Sequence, residues 1–515
     1  MTAVADQREA NEFRPKAWTG RDWVWIAGLS VVLAVLYVWQ LQPGIAPHGD
    51  ISKFQFAGAL GGTVHQSGYP MYLMLGWLAA NLFPFIDAGT AVTALSALFG
   101  IGTAVMAYVA LREFATRPII AGAFSLLLGV APVVFYYAVV AEVYSAHLFF
   151  MAGVLAMLLR WRRTDSNVDL GAAIVLLALS FTNHMAMAFL VPGILWFVWK
   201  TDRGTFRRPA VWLFGAACLL LAMLSYGYLI WRAGDPATPF VEVAPESWLD
   251  LPAIWIGTGG SMLVLGPNQA NEILRRVPGV GTDVARSALL AIPLAVVGFR
   301  SLWRDAAGAM LAWWGFASLL FALIFASPNP QSFLPPMVFV LLVAAGIGAE
   351  WLAARYLKSA VIVVAMLALI AAASIADGVR FVDVQSGAEY EARVRGWYAE
   401  VPEGAVLTAS YTDAMAAFYI SLLEDDGDLV VVSDYPLDDP AGSVIGRYLG
   451  GEAVEVPHTR ETVHPGRPVY APGRGWACDL ASVGFGIEQM SAHMFRVSPL
   501  RDAPWTQPAN LCGGG

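Results

Sequence analysis

The sequence predicts a polytopic α-helical membrane protein carrying a C-terminal extracytoplasmic α/β domain. Three observations predict it. The 515 residues are 57% hydrophobic and only 14% charged, with 19 Trp. Apolar runs such as Trp23–Leu41 and Ser359–Ala376 are long enough, at ~1.5 Å per residue, to cross ~30 Å of hydrocarbon. From Asp377 the composition reverses: this tail holds 20 of the 39 acidic residues and nine of the 31 basic ones, and its apolar residues fall into short strand-like runs.

The spans come first in the chain. A polar, Arg-containing leader precedes the first run, and no small-residue cleavage site with a soluble domain follows, so no cleaved signal is expected. Spans are read at Trp23–Leu41, Ala91–Leu111, Ile119–Val139, Val143–Leu159, Val168–Thr182, Met185–Trp199, Val211–Trp231, Ser287–Phe299, Met310–Ala326, Pro335–Trp351 and Ser359–Ala376, about eleven crossings. The run Gly68–Phe85 is also apolar, but charge argues that it lies at the interface. With the N-terminus cytoplasmic and that run not crossing, Arg112, Arg117, Arg160, Arg162, Arg163, Lys200, Arg203, Arg207, Arg208, Arg300, Arg304 and Arg355 all fall inside. The outer loops then hold only Lys53, Arg232, Arg275, Arg276 and Arg286, as the positive-inside rule requires. Trp, Tyr and Pro at intervals in Gly68–Phe85 also suit an interfacial helix. The chain therefore reads as a membrane domain over residues 1–376, with a long first outer loop at 42–89, and an outer domain over 377–515.

In the tail, "GAVLTAS" and "DLVVVSDY" read as buried strands with a helix at Thr412–Glu424 between them. "SVIGRYL" reads as a second helix, and "RPVYAPG" and "HMFRVSP" as later strands, an alternation that suggests a small α/β domain. No glycine-rich phosphate fingerprint opens its helices, so no nucleotide is assigned. Cys218 falls in a span and reads as packing. Cys478 and Cys512 both fall outside, where a disulfide can persist.

The net charge of −8 and the lack of a basic stripe argue against nucleic acid as a partner. No CxxC or HExxH pattern marks a zinc site. What the topology does gather is polar side chains on one face. Asp50 follows the first span, Glu142 sits where the third span hands over to the fourth, and His184 sits at the next outer turn. Ionisable groups near the hydrocarbon boundary are costly unless paired or hydrated, so these are functional candidates. Plainer readings exist for each: Asp50 as a helix N-cap, Glu142 as a solvated loop residue, and His65 and His184 as ordinary histidines satisfied locally.

The ordered set "HGDISKFQFAGALGGTVHQSGYPMY" (His48–Tyr72), "AEVYSAH" (Ala141–His147) and "SFTNHMA" (Ser180–Ala186) resembles the protein O-mannosyltransferase-like family of the GT-C glycosyltransferases. That resemblance covers about the first two hundred residues, and implies interfacial helices in the first outer loop. It also implies a polyprenyl-phosphate sugar donor used on the non-cytoplasmic face, because nucleotide sugars stay inside. The acceptor would be a hydroxyl of a protein Ser/Thr, a lipid or a glycan, and the cell's inner (plasma) membrane is the implied location. On this reading Asp50 is the base that takes the acceptor proton, and Glu142 supports it. His48, Lys53, Gln55, His65, Tyr69, Tyr144, Asn183, His184 and Arg232 would bind substrate, with Lys53 and Arg232 favoured as partners of the departing phosphate. Some GT-C branches use a divalent metal; two carboxylates are a thin ligand set for a hard cation, so none is assigned.

A transporter is the main rival, but it predicts inverted repeats and midplane polar residues, and neither is readable here. A scaffold presenting the tail would need neither Asp50 nor Glu142. A lipid-linked glycan polymerase or ligase would use the same donor class on a larger glycan.

The charge asymmetry predicts a labelling pattern. In intact cells, cysteines introduced in Arg160–Arg163 should resist membrane-impermeant thiol reagents, while one near Asp426 should react. The reverse pattern would overturn the face assignment.

Overall fold

The computed structural model describes residues 18–42, 44–256, 269–325, 329–356, 384–424, 429–433, 439–500 and 512. Seven helices among them are long and apolar enough to span: Gly20–Gln40, Ala88–Glu113, Tyr144–Thr164, Pro209–Gly234, Ile273–Ser301, Ala306–Ile324 and Pro335–Arg355. Pro118–Val130 and Pro132–Val139 form an eighth if taken as one span bent by 64°. Pro132 accounts for the bend, since it has no N–H to continue the ladder and its ring crowds the preceding turn. Asn167–Asn183 and Met185–Thr201 are apolar but shorter. Ten of the eleven expected crossings thus coincide with apolar helices; Ser359–Ala376 and the domain boundary at 376/377 lie outside the described residues.

The first helix shows how these elements meet lipid and protein. It buries Asp22, Leu29, Leu33, Tyr37 and Gln40, one stripe at helical spacing, while Trp23, Val31, Val35 and Trp39 face outward. Apolar side chains pointing outward along a whole helix are what a hydrocarbon environment selects. A capping box between Thr19 and Asp22 starts the helix. Asp22 is itself buried and accepts from Tyr108 at 2.8 Å and Arg112 Nε at 2.6 Å, which pins this helix to Ala88–Glu113.

Gly68–Phe85 contains one helix, Pro70–Leu82, whose 13 residues reach only ~20 Å, too short to cross. It packs against Gly49–Leu60, the helix that follows the first span. Gly58 and Gly76 permit the close approach: a Cβ on Gly76 would sit 3.1 Å from the Gly58 Cα. The other face of Pro70–Leu82 leaves Trp77, Leu78 and Leu82 exposed.

The C-terminal part is a mixed five-stranded sheet. Its strands are β1 (Val406–Ala409), β2 (Val430–Ser433), β5 (Val469–Pro472), β6 (Phe485–Gln489) and β7 (Met494–Leu500), with β3 (Val454–Glu455) and β4 (Thr462–Val463) pairing separately. The order is β2-β1-β5-β7-β6, parallel from β2 through β5 and antiparallel across β7. The expected strands at β1, β2, β5 and β7 are present, and the expected helix after β1 runs Tyr411–Phe418 before a wider turn, Tyr419–Leu423. Sequence pattern missed β6, the β3–β4 pair and the helices Val384–Glu400 and Arg474–Ser482, whose apolar positions are too few to show a period.

The sheet domain docks onto residues 42–89 and onto the loop after the Pro209–Gly234 span. Helix Tyr411–Phe418 lies on Gly49–Leu60, Phe418 meets Phe240 with ring centroids 5.5 Å apart, and Tyr419 donates to Asp87 at 3.1 Å. The Val241 N–H donates to the His458 carbonyl at 2.7 Å, a second tie from the loop after the Pro209–Gly234 span.

Cys478 and Cys512 are joined in a disulfide, with Cα atoms 5.5 Å apart. Closing 34 residues should stabilise the domain by roughly 3–4 kcal/mol in the chain-entropy picture. Mass spectrometry of alkylated, non-reduced protein should find neither cysteine modified, and reduction should lower the unfolding midpoint of the domain.

Candidate functional site

Helix Gly49–Leu60 organises the site. It begins at His48 and ends at Gly61, whose φ of 68° is the left-handed conformation that glycine adopts without strain. Asp50 stands in the first turn and Lys53 three residues on, so both side chains share one face. Lys53 is 1% exposed, and three groups surround its ammonium: Asp50 Oδ1 at 3.0 Å, Glu242 Oε2 at 2.8 Å and the Tyr411 hydroxyl at 2.5 Å. Tyr411 in turn donates to Asp50 Oδ1 at 2.7 Å. Glu242 arrives from a different loop. Thr63 pairs with Val241 in a short parallel bridge, and the His65 backbone N–H donates to Glu242 Oε2 at 2.7 Å. The His65 ring then stands 3.9 Å from both Asp50 and Glu242.

Beside this network is a cavity of about 480 Å³, lined by His48, Asp50, Glu142, Tyr144, Gln331 and Tyr411 among others. Asp50, 41% exposed, is part of its wall. Glu142 enters from the turn between the bent pair and Tyr144–Thr164. Ser96 binds that turn through the Glu142 backbone N–H at 3.2 Å and carbonyl at 3.1 Å, and Asn183 Nδ2 donates to the Val143 carbonyl at 3.0 Å.

The two carboxyls are driven in opposite directions. Enclosure pushes Asp50 up, but Lys53, His65 and the Tyr411 hydrogen bond outweigh it, so its carboxyl lies below the usual range and stays ionised. Burial, followed by the negative charge of Asp50, pushes Glu142 well above the usual range. Burial and the neighbouring Lys53 charge lower His65, which is neutral at pH 7. Lys53 itself is pulled down by burial but raised further by Asp50 and Glu242, and remains an ammonium.

Of the residues singled out from sequence, Asp50, Glu142, His48 and Tyr144 line one cavity. His65 belongs to the Lys53 network. Tyr69, at φ 44°, donates to the Gln66 carbonyl at 2.9 Å and lies between the rings of His65 and His184. His184 packs against Tyr144 and His147 and accepts from the Ala186 N–H, so it lies behind the cavity wall. Asn183 supports the Glu142 turn. Gln55 points away, donating to the Gly44 carbonyl and to Thr93, both at 3.1 Å.

Two expectations change. Arg232 does not line the cavity: it donates to the Gly61 and Leu60 carbonyls and pairs with Asp235 at 3.1 Å. A cation at the C-terminal end of Gly49–Leu60 stabilises the exposed carbonyls of that helix. Lys53, expected to hold the donor phosphate, is enclosed by its three partners and faces them instead of the cavity. Glu242 and Tyr411 went unnoticed in the sequence. An acid between apolar neighbours in "FVEV" (Phe240–Val243) is the one local signal for Glu242. Nothing local distinguishes Tyr411.

Among the described residues no group of three or more His, Cys, Asp or Glu side chains is arranged to hold a metal ion. On the cavity, Asp50 is already neutralised by Lys53, so Asp50 and Glu142 fit a hard divalent cation poorly.

The Lys53 geometry carries a prediction. Lys53→Ala leaves the enclosed Glu242 and the part-exposed Asp50 without their shared counter-ion; removing one partner of a buried ion pair costs about 3–5 kcal/mol, and the exposure of Asp50 puts the loss at the low end of that range. Thermal unfolding in detergent should show that loss. An unchanged midpoint with weakened donor binding would restore the phosphate role.

Residues 50–205 match the family model described as the Protein O-mannosyl-transferase TMEM260 N-terminal domain. No curated protein matches the chain. Among solved structures, ArnT from Cupriavidus metallidurans in the apo state aligns with a TM-score of 0.58 at 14% identity, over 92% of this chain and 97% of that one. The oligosaccharyltransferase of Archaeoglobus fulgidus in the apo form aligns with a TM-score of 0.48 at 14% identity, over 94% of this chain and 75% of that one.

Proposed function

We propose that this membrane protein of the GT-C glycosyltransferase class, whose residues 50–205 are of the protein O-mannosyltransferase type, transfers a sugar from a polyprenyl-phosphate donor to an acceptor hydroxyl on the non-cytoplasmic face. The observation that carries this reading is Asp50: an ionised carboxylate, anchored through one oxygen, exposed on a cavity beside the membrane spans. The acceptor is a hydroxyl of a protein Ser/Thr, a lipid or a glycan.

Asp50 acts as the base. The acceptor oxygen attacks the anomeric carbon as its proton passes to the Asp50 carboxylate. The bond from that carbon to the phosphate oxygen breaks, and the polyprenyl phosphate leaves with the bonding electron pair. Attack from the side opposite the phosphate inverts the anomeric centre in one displacement. Donors on the cavity wall, among them Gln331 and Ser332, suit the charge that grows on the leaving phosphate. Glu142, whose carboxyl burial and Asp50 push well above the usual range, supports Asp50 and hydrogen-bonds sugar or acceptor.

Asp50→Asn keeps the shape of the first turn and removes the proton acceptor. Transfer should fall ~10²–10⁴-fold while donor binding and folding survive. The pH profile distinguishes the two carboxyls. A base works when ionised, so rate is lost as pH falls through its own pKa. With Asp50 as base, the acid limb should lie below about pH 4, the ordinary Asp value. An acid limb displaced toward neutrality would make Glu142 the base.

A further inference from the structure

We infer that the C-terminal sheet domain completes the catalytic centre, and that Tyr411 is a positioning residue for Asp50. This rests on Asp50 being the base. Three observations carry it.

The first is direction. Lys53 has donors only, so the Tyr411 hydroxyl accepts from it at 2.5 Å, and its own proton is then free to go to Asp50 Oδ1 at 2.7 Å. The second is selectivity. Lys53 and Tyr411 both bind Oδ1, so together they fix the rotation of the carboxylate without using Oδ2. A base held through one oxygen presents the other in a set direction, which is what proton transfer within a narrow distance range requires.

The third is the way Tyr411 is held. Ser410 caps its helix, accepting from the Asp413 N–H at 3.4 Å. Asp413 also accepts from Tyr390 at 3.0 Å, on the helix Val384–Glu400. Phe418 and Tyr419, on the following turns, dock on Phe240 and Asp87 of the membrane domain. The hydroxyl is therefore placed by the docking of the whole domain, and Tyr411 lines the same cavity as Asp50. The charged or titratable groups facing Asp50 are His48, Lys53, His65 and Tyr69 from residues 42–89, Glu142 and Tyr144 from the turn after the bent pair and the helix it opens, and Tyr411; Glu242 acts through Lys53.

Full-length protein in detergent gives two readouts. The Asp50 carboxyl band is first identified in the infrared as the band that Asp50→Asn removes. In Tyr411→Phe its titration midpoint should rise, because a hydrogen bond to the ionised form is lost. Tyr448→Phe, elsewhere in the same domain, should leave it in place. With a polyprenyl-phosphate sugar that the wild type accepts, Tyr411→Phe should lower kcat by about tenfold, the scale of a hydrogen bond to a charged group. Donor KM should hold within twofold, and the acid limb should move to higher pH. An unchanged midpoint with unchanged kcat in folded protein overturns the inference. If Tyr411→Phe does not fold, Tyr411→3-fluorotyrosine keeps the hydroxyl in place with a more acidic proton. The Asp50 midpoint must then fall, and a fixed midpoint counts against the role. If the wild type transfers no sugar, the reading of Asp50 as base fails, whereas the infrared titration still decides whether Tyr411 governs that carboxyl.

Discussion

The site depends on one enclosed ammonium. Removing a charge from water costs several kcal/mol unless partners replace the lost hydration, and Lys53 has no water-facing route. The chain answers with partners from three places: Asp50 one turn back on the same helix, Glu242 from the loop after the Pro209–Gly234 span, and Tyr411 from the sheet domain. Each brings a segment with it. The requirement to satisfy one side chain thereby fixes how three parts of the molecule sit around the cavity.

The same pairing separates the two carboxyls on the cavity. Asp50 gains a cation and a hydroxyl donor, which favour its ionised form; Glu142 gains burial and a negative neighbour, which push its carboxyl well above the usual range. Environments that push two acids apart allow one to accept a proton while the other donates a hydrogen bond at the same pH. The separation needs no difference in residue chemistry beyond one methylene.

Much of this was legible in the sequence, for reasons that differ by element. Span positions follow from hydropathy over ~20 residues, which is why ten expected crossings coincide with apolar helices. Charge placement argued that Gly68–Phe85 does not cross, and its helix is too short to do so. The 64° bend at Pro132 was missed, because a proline inside an apolar run shows where a helix breaks and not by how much. Asp50 and Glu142 were found because acids beside hydrocarbon are anomalous on sight. Lys53 stood out as one of the few basic residues next to a span on its face, and its partners did not: Glu242 is 189 residues away and Tyr411 is 358 away, separations that no local pattern spans. Arg232 does not line the cavity, and no local pattern shows that it covers the end of Gly49–Leu60.

The bond between Tyr411 and Asp50 joins residues 361 apart. At synthesis rates of ~5–20 residues per second, Asp50 is made about 20–70 s before Tyr411. Glu242, 189 residues downstream of Lys53, follows after about 10–40 s on the same scale. The ion pair can therefore form while the later spans are still being inserted, and the hydroxyl joins last. A nascent chain has its membrane core early, yet Asp50 gains its hydroxyl partner only after the sheet domain has been made and folded. Assembly order thus acts as a quality check: a truncated or undocked product would be left with an unoriented Asp50.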